Sequence, residues 1–163
     1  MKLTREEIVE LLNAPDAGAE LQRRADGSRR EVHGDVVHFR AILEFSNYCR
    51  RSCEYCGINC RMSGVERYRM TEADILSAAE RIVDAGFRTV ILQSGEDPEL
   101  DPVWLSAVID ELKRVHDIAV TLSVGEWPRE VYARWRDAGA DRFLLKLETA
   151  DPALYQRLQL GQP

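Results

Sequence analysis

The fold is decided by residues 36–57, VVHFRAILEFSNYCRRSCEYCG. The first part, Val36 to Phe45, is rich in β-branched and apolar residues, which predicts a β-strand. Three cysteines follow in a short loop, Cys49, Cys53 and Cys56, at a Cys-x3-Cys-x2-Cys spacing. A strand that runs directly into a dense set of thiols predicts an α/β protein whose reactive groups lie at the carboxyl end of a strand.

Thiolates at this spacing are typical of a metal site. A 4Fe–4S cluster is normally held by four cysteine thiolates, so a triplet binds three irons and leaves the fourth open to an outside ligand. Such an open iron can bind and reduce a cosubstrate. Zinc is the alternative, because Cys60 would complete a closed all-thiolate site. Structural zinc sites usually pair two separated Cys-x2-Cys motifs, so we favour iron and sulfur and expect Cys60 to be a bystander.

The composition describes an ordinary globular protein of 163 residues, long enough for one domain with a sizeable core. A net charge of −6 argues against nucleic acid as the main partner, since phosphate binding needs a basic surface. The charged amino terminus and the lack of a long apolar run in the sequence disfavour secretion and a membrane span. Low-valent iron and free thiols need a reducing compartment, which predicts the cytoplasm.

Arginine is concentrated around the cysteines. Between Ser46 and Met70 the sequence has five arginines against two glutamates: Arg50, Arg51, Arg61, Arg67, Arg69, Glu54 and Glu66. A basic surface beside a thiolate-ligated cluster would favour the reduced, more negative state of that cluster. A solvated loop with incidental arginines explains the same pattern equally well.

The residues before the first strand are expected to be helical. Thr4 and Glu7 form a capping box that predicts the start of a first helix. A second amphipathic stretch runs from about Asp16 to Arg24, and Gly27 and Gly34 are predicted to mark turns.

After the cysteines, helical and strand patterns alternate. The predicted elements are a helix from Glu72 to Ala85, a strand from Arg88 to Gln93, a helix from Pro102 to His116, a strand from Ile118 to Val124, a helix with Pro128 at its first position that ends at Gly139, a strand from Asp141 to Leu147 and a helix that begins at Pro152. Short apolar strands that alternate with helices indicate a parallel sheet covered by helices, either doubly wound or a barrel.

Four strand–helix units are half of a (β/α) barrel. We therefore expect residues 1–34 to form a helical extension and residues 35–163 to form a partial barrel domain. The sequence stops at Gly161-Gln162-Pro163, directly after a helix. Because a half barrel would expose long edge strands, we expect an incomplete copy of a longer enzyme, with a dimer of half barrels as the alternative.

Five segments together resemble a known family. They are FSNYCRRSCEYCG (residues 45–57), RYRMT (67–71), LQSGEDP (92–98), TLSVGEWPRE (121–130) and AGADRFLLKLETADP (138–152). Read in order, they resemble the amino-terminal half of the HydE-type maturases of FeFe hydrogenase, which are radical S-adenosylmethionine (SAM) enzymes. Biotin synthase and methylornithine synthase are more distant relatives. The cysteine triplet alone would identify only the radical SAM superfamily, whereas the other segments are more specific.

The resemblance implies a radical SAM-type (β/α) TIM barrel that uses a 4Fe–4S cluster and SAM. It implies that Cys49, Cys53 and Cys56 ligate the cluster and that Tyr55 lies near the adenine of SAM. The loop after the second strand would meet the methionine amino group through its glycine-containing backbone; this loop comprises Gln93, Ser94, Gly95 and Glu96. Glutamate and aspartate at this point, before Pro98, also suit an ordinary turn.

Residues on the third and fourth strands are implied to bind the rest of SAM and the substrate. Ser123 and Glu148 would hydrogen-bond the carboxylate of SAM and its ribose or amino group, and Thr121 and Lys146 would face the substrate. The alternatives are a helix cap for Glu148 and ordinary strand hydroxyls for Thr121 and Ser123. The family has Arg-His where this chain has Lys146-Leu147, which puts the identity of the substrate in question.

The implied reaction is reductive cleavage of SAM to a 5′-deoxyadenosyl radical that attacks a small-molecule or small organometallic substrate. The implied role is assembly of the active-site cluster of FeFe hydrogenase. An electron donor such as ferredoxin or flavodoxin and other hydrogenase maturases are the expected partners, without nucleic acid or membrane. Two alternatives stay open: another radical SAM branch, similar to biotin synthase or methylornithine synthase, and a non-catalytic four-cysteine zinc module.

Overall fold

The computed structural model describes residues 3–15 and 17–159. Contacts within the chain divide it into two compact units, Met1–His38 and Phe39–Pro163, close to the predicted boundary after residue 34. In the described residues no helix has the length and apolar character needed to cross a lipid bilayer.

The amino-terminal unit contains two helices, α1 (Arg5–Asn13) and α2 (Ala17–His33). The predicted capping box is confirmed, because Thr4 Oγ1 accepts from the backbone N–H of Glu7 at 3.2 Å and Glu7 Oε2 accepts from that of Thr4 at 2.7 Å. The predicted turn at Gly27 is wrong, since α2 continues through it.

Ion pairs at helical spacing explain this continuation. Arg29 and Arg30 both contact Asp26 from the far side of Gly27, at 2.7 and 2.8 Å. Pairs three and four residues apart stabilise a helix and offset part of the cost of an internal glycine. The predicted start of this helix, Asp16, lies outside the described residues.

The second unit is a four-stranded parallel sheet with helices between the strands, as predicted. The strands are β1 (Ala41–Ser46), β2 (Thr89–Ser94), β3 (Ala119–Ser123) and β4 (Arg142–Phe143), and they lie side by side in chain order. The helices are α3 (Glu72–Asp84), α4 (Pro102–Val115), α5 (Arg129–Asp137) and α6 (Pro152–Leu158).

One face of the sheet packs against helices and forms the core. Its strand residues are Leu43, Phe45, Val90, Leu92, Val120 and Leu122, which are packed with buried side chains of α3, α4 and α5. Burying a side chain of this size contributes roughly 1.5–3 kcal/mol. The alternate residues therefore face the other side, where the parallel register aligns Glu44 with Gln93 and Gln93 with Ser123.

Two strands differ from their predicted extents. β1 begins at Ala41 instead of Val36, because the pairing with β2 starts opposite Val90 and Phe39 is 76% exposed. β4 has two residues instead of seven, because its pairing with β3 covers only the residues opposite Thr121 and Leu122. Apolar β-propensity without a partner strand does not make sheet.

The helix α2 ends at His33 instead of about Arg24, and the other element boundaries agree with the predictions to within one or two residues. Pro128 was predicted to be the first residue of a helix, but it is the N-cap residue of α5.

Candidate functional site

The loops that follow the four strands border one cavity of about 400 Å³ at the carboxyl edge of the sheet. Its lining residues are Glu44, Cys49, Arg51, Cys53, Tyr55, Cys56, Gly57, Ile58, Gln93, Ser94, Gly95, Glu96, Ser123, Gly125, Glu126, Leu144, Leu145, Lys146, Glu148 and Gln159. All predicted cluster and cofactor residues are among them. Of the two predicted substrate residues, Lys146 lines the cavity and Thr121 does not.

Asn59 shapes the second half of the cysteine loop. This side chain is 7% exposed, and its Nδ2 donates to the backbone oxygens of Cys53 at 3.2 Å and Cys56 at 2.7 Å. Its Oδ1 accepts from the backbone N–H of Arg61 at 2.9 Å. The sequence analysis missed Asn59, although asparagine is a residue that often bonds to nearby backbone in this way.

Arg67 supports the same loop from a later segment. Its guanidinium donates to the backbone oxygens of Ile58 and Asn59, both at 2.7 Å. Backbone oxygens in an irregular loop lack the partners that regular secondary structure would supply, so a forked donor here stabilises the loop.

The three predicted ligand thiols are half-buried and share the cavity, whereas Cys60 is exposed and is not among the lining residues. Burial raises the pKa of the Cys53 thiol, and the neighbouring Cys49 and Cys56 raise it further, because nearby negative charge disfavours a thiolate. A bound cation would relieve this repulsion, since metal binding is coupled to thiol deprotonation. The donor set therefore suits a cluster with three protein ligands.

A site for a single metal ion would need at least three ligating side chains that converge on one point. In residues 3–15 and 17–159, no three His, Cys, Asp or Glu side chains converge on a position for one ion.

Gly95 brings the loop after β2 against the cysteine loop. A Cβ atom at this position would lie 2.2 Å from the backbone oxygen of Tyr48 and 2.6 Å from Cys49 Cβ. Contacts this short are forbidden, so only glycine permits the approach. The backbone N–H of Arg50 also donates to the oxygen of Glu96 at 2.9 Å, which joins the two loops directly.

Glu96 is 9% exposed and contacts two arginines of the cysteine loop. Its Oε1 accepts from Arg50 Nε at 2.7 Å, and its Oε2 accepts from Arg51 Nε at 2.6 Å. Burial lowers the pKa of Arg51, but the hydrogen bond and charge of Glu96 outweigh burial and raise the pKa overall. Gly125, at a φ of +80°, packs against Glu96, and a Cβ there would lie 2.6 Å from Glu96 Cγ.

Asp97, the next residue, faces a different set of partners. It is 2% exposed, and its carboxylate accepts from Ser46 Oγ at 2.9 Å, from Arg69 Nε at 2.6 Å and from the backbone N–H of Glu99 at 3.0 Å. Burial acts to raise the pKa of Asp97, but these hydrogen bonds, led by the one from Arg69, hold it below its usual value. Asp97 thus joins the end of β1 to the loop after β2.

Glu148 occupies a strained turn. Among the described non-glycine residues it alone has a positive φ, +60°. The backbone N–H of Thr149 donates to the oxygen of Leu147 at 2.7 Å across it, which makes Glu148 the centre of a γ-turn of the strained type. Such strain costs on the order of 1–3 kcal/mol and occurs often at functional sites.

Tyr55 lies on the cavity wall beside the end of α6. Gln159 Nε2 donates to its hydroxyl at 3.1 Å, and the backbone N–H of Glu54 donates to the oxygen of Leu158 at 2.8 Å. Burial raises the pKa of the Tyr55 hydroxyl, and the negative charges of Cys53 and Glu148 add to this effect.

Thr121 differs from the other predicted residues. It is 7% exposed, and its buried hydroxyl has no hydrogen-bond partner in the part of the chain that the structure describes. An unsatisfied buried hydroxyl is unfavourable. Thr121 does not line the cavity, and its predicted contact with a substrate stays a prediction.

The sequence places this site in a family. Residues 43–162 match the model of the Radical SAM superfamily, and the chain belongs to that superfamily. It is 48% identical over 160 residues to the FeFe hydrogenase maturase subunit HydE of Thermotoga maritima, an alignment that covers 97% of this chain and 46% of that protein. It is 32% identical over 136 residues to the 3-methylornithine synthase of Methanosarcina barkeri, covering 82% of this chain and 39% of that protein.

Solved structures agree with this placement. The crystal structure of methylornithine synthase (PylB) matches with a TM-score of 0.87 at 29% identity, over 100% of this chain and 49% of that one. The crystal structure of HydG, a maturase of the FeFe-hydrogenase, matches with a TM-score of 0.88 at 24% identity, over 99% of this chain and 37% of that one. At this identity the match supports only the fold. The predicted radical SAM-type barrel fold, with four of its units in this chain, is confirmed. The chain spans less than half the length of each of these four relatives.

We expect the contribution of Asp97 to stability to depend on pH. Asp97→Asn should lower the free energy of unfolding by on the order of 2 kcal/mol at neutral pH, because hydrogen bonds to a charged group are lost. Since the folded-state pKa lies below the ordinary value of 3.8, this difference should persist down to about pH 4 and shrink as the pH falls further. Urea unfolding of both proteins between pH 2.5 and pH 7 measures it, and a pH-independent difference would contradict the assignment.

Strain at Glu148 predicts an unusual effect of glycine. The free energy of unfolding of Glu148→Gly should exceed that of Glu148→Ala by about 1 kcal/mol, because glycine adopts a positive φ without a penalty. Urea unfolding of both variants measures the difference. The same pair of substitutions at Thr149 is the control, and there alanine should be the more stable. Equal stability of the two Glu148 variants would show that the turn is not strained.

Proposed function

We propose that this chain holds a 4Fe–4S cluster through Cys49, Cys53 and Cys56 and offers its fourth iron to SAM. The observation that carries the proposal is the arrangement of the thiols: three are half-buried and line one cavity, and the fourth, that of Cys60, is exposed and is not among the lining residues. When bound, a cluster of this type would supply the electron for reductive cleavage of SAM to methionine and a 5′-deoxyadenosyl radical.

The cavity residues suit the separate parts of SAM. The backbone around Gly95 lies closest to the cysteine loop, so it would meet the methionine end of the cofactor. Ser123 and Glu148 line the cavity from the next two strand ends and would hydrogen-bond the carboxylate and the ribose or amino group. Tyr55 also lines the cavity and offers an aromatic ring for the adenine. Gln93 donates to Glu44 at 2.8 Å, which fixes the orientation of its amide.

The role of the whole protein is inferred from its relatives. Because the chain is 48% identical to the maturase HydE, we infer a function in assembling the active-site cluster of FeFe hydrogenase. Such a reaction would act on a small-molecule or small organometallic substrate near Lys146, which lines the cavity. It would draw electrons from a ferredoxin or flavodoxin in the cytoplasm and work beside other hydrogenase maturases.

A second candidate is a reaction like that of methylornithine synthase. Both a sequence relative and a solved structure of this type match the chain, at 32% and 29% identity. The chain has Lys146-Leu147 in place of the Arg-His pair of HydE-type maturases, and Lys146 lines the cavity. Lysine lacks the fork of arginine that holds a carboxylate by two hydrogen bonds, so a different substrate is compatible with the same cluster chemistry.

Anaerobic reconstitution with iron and sulfide tests the cluster site. The protein should bind about four irons, and SAM should alter the electron paramagnetic resonance (EPR) spectrum of the reduced cluster, because one iron lacks a protein ligand. Cys53→Ala should abolish iron uptake, whereas Cys60→Ala should leave both iron content and spectrum unchanged.

Three outcomes would contradict the proposal. Equal loss of iron in the Cys53 and Cys60 variants would make Cys60 a ligand. A colourless protein with one bound zinc would support the four-cysteine zinc module instead. A cluster whose spectrum does not respond to SAM would have no open iron.

A further inference from the structure

A buried carboxylate in the cavity wall is already neutralised by the protein. Each oxygen of Glu96 accepts a hydrogen bond from a different arginine, Arg50 at 2.7 Å and Arg51 at 2.6 Å. A second nitrogen of Arg50 also contacts Oε1. Charge-assisted bonds of this kind are roughly twice as strong as neutral ones, and together they occupy most of the acceptor sites of the carboxylate.

The charges around Glu96 are also unsuitable for a cationic ligand. One negative charge lies between two positive ones, so an added ammonium group would meet repulsion, mainly from Arg51, because Arg50 is 57% exposed and solvent screens its charge. Glu126 faces Arg51 at 3.8 Å, but it is 63% exposed and solvent screens its charge. The amino group of a sulfonium amino acid would therefore gain little from Glu96.

Both arginines belong to the loop between the first two cysteines. Arg50 and Arg51 follow Cys49 directly, and the backbone N–H of Arg50 also donates to the oxygen of Glu96 at 2.9 Å. Gly125 packs so closely against the side chain of Glu96 that a Cβ at residue 125 would clash with it. The two ion pairs and the backbone hydrogen bond thus connect Glu96 to the residues that separate Cys49 from Cys53.

We propose that Glu96 is a positioning residue that anchors the cysteine loop through Arg50 and Arg51 and does not bind the sulfonium cofactor. This inference rests on the proposed cluster site. It makes the spacing of the Cys49 and Cys53 thiols depend on a carboxylate from the loop after β2. The carboxylates that remain to meet the amino group of the cofactor from the cavity wall are those of Glu44, Glu126 and Glu148.

Three variants test whether Glu96 acts through the arginines. They are Glu96→Ala, the double variant Arg50→Ala/Arg51→Ala, and the triple variant that combines them. After anaerobic reconstitution, iron and sulfide per chain should fall at least about threefold in each, and the triple variant should lose no more than the double, because coupled residues are not additive. In the absence of iron, the urea midpoint should fall in the same non-additive way, since the anchor acts on the protein itself.

Binding of SAM separates positioning from direct contact. In the cluster-bearing fraction of the milder variant Glu96→Gln, the Kd for SAM should stay within about twofold of the unchanged protein, a change of less than 0.5 kcal/mol. Arg114→Ala is the matched control, because it removes a forked arginine–carboxylate pair with Glu111 on the exposed side of α4. It should leave iron content unchanged.

The opposite results would overturn the inference. Full cluster content with at least tenfold weaker SAM binding in the Glu96 variants would assign the carboxylate to the cofactor. Additive losses in the triple variant would show that Glu96 does not act through Arg50 and Arg51. If the unchanged protein took up no iron, the proposed function would fail, whatever the role of Glu96. If Glu96→Ala did not fold, the double arginine variant and Glu96→Gln would decide between the two roles.

Discussion

The carboxyl edge of the sheet depends on one close approach between two stretches of backbone. At Gly95 the loop after β2 lies so near the cysteine loop that a Cβ would be 2.2 Å from the oxygen of Tyr48. The parallel register of β1 and β2 brings Ser46 opposite Ser94 and so delivers both loops to the same place. Because a side chain at residue 95 would force them apart, the position of the first thiol, Cys49, is a consequence of a missing side chain in another loop.

Two consecutive acidic residues, Glu96 and Asp97, fix the loop after β2 against the segments that flank it. Glu96 bonds to Arg50 and Arg51 of the cysteine loop, while Asp97 bonds to Ser46 and Arg69. Buried carboxylates need such partners, because an uncompensated charge in the interior is costly. Four of the five arginines around the cysteines, Arg50, Arg51, Arg67 and Arg69, have defined hydrogen-bond partners in carboxylates or backbone oxygens. Three of them, Arg50, Arg51 and Arg67, hold the loop that would carry the cluster.

Patterns that are local in sequence were predicted well. The predicted capping box at Thr4 is present, because its residues lie within one helical turn. Predictions that needed a partner failed more often. Gly27 lies inside a helix that ion pairs stabilise, and β4 is short because only two of its residues pair with β3. Asn59 was missed, since its role depends on backbone oxygens that only the folded loop brings together.

The sequence by itself determined the class of fold, the three thiols and the superfamily, because strand periodicity, cysteine spacing and short motifs are readable along the chain. Only the tertiary structure decided how the chemical groups are used. It separated Cys60 from the cavity that the other three thiols line, enclosed the hydroxyl of Thr121 and engaged Glu96 with two arginines. The physical reason is that burial and charge pairing arise between segments that are distant in sequence, and no local pattern encodes which of two nearby carboxylates or thiols will face solvent.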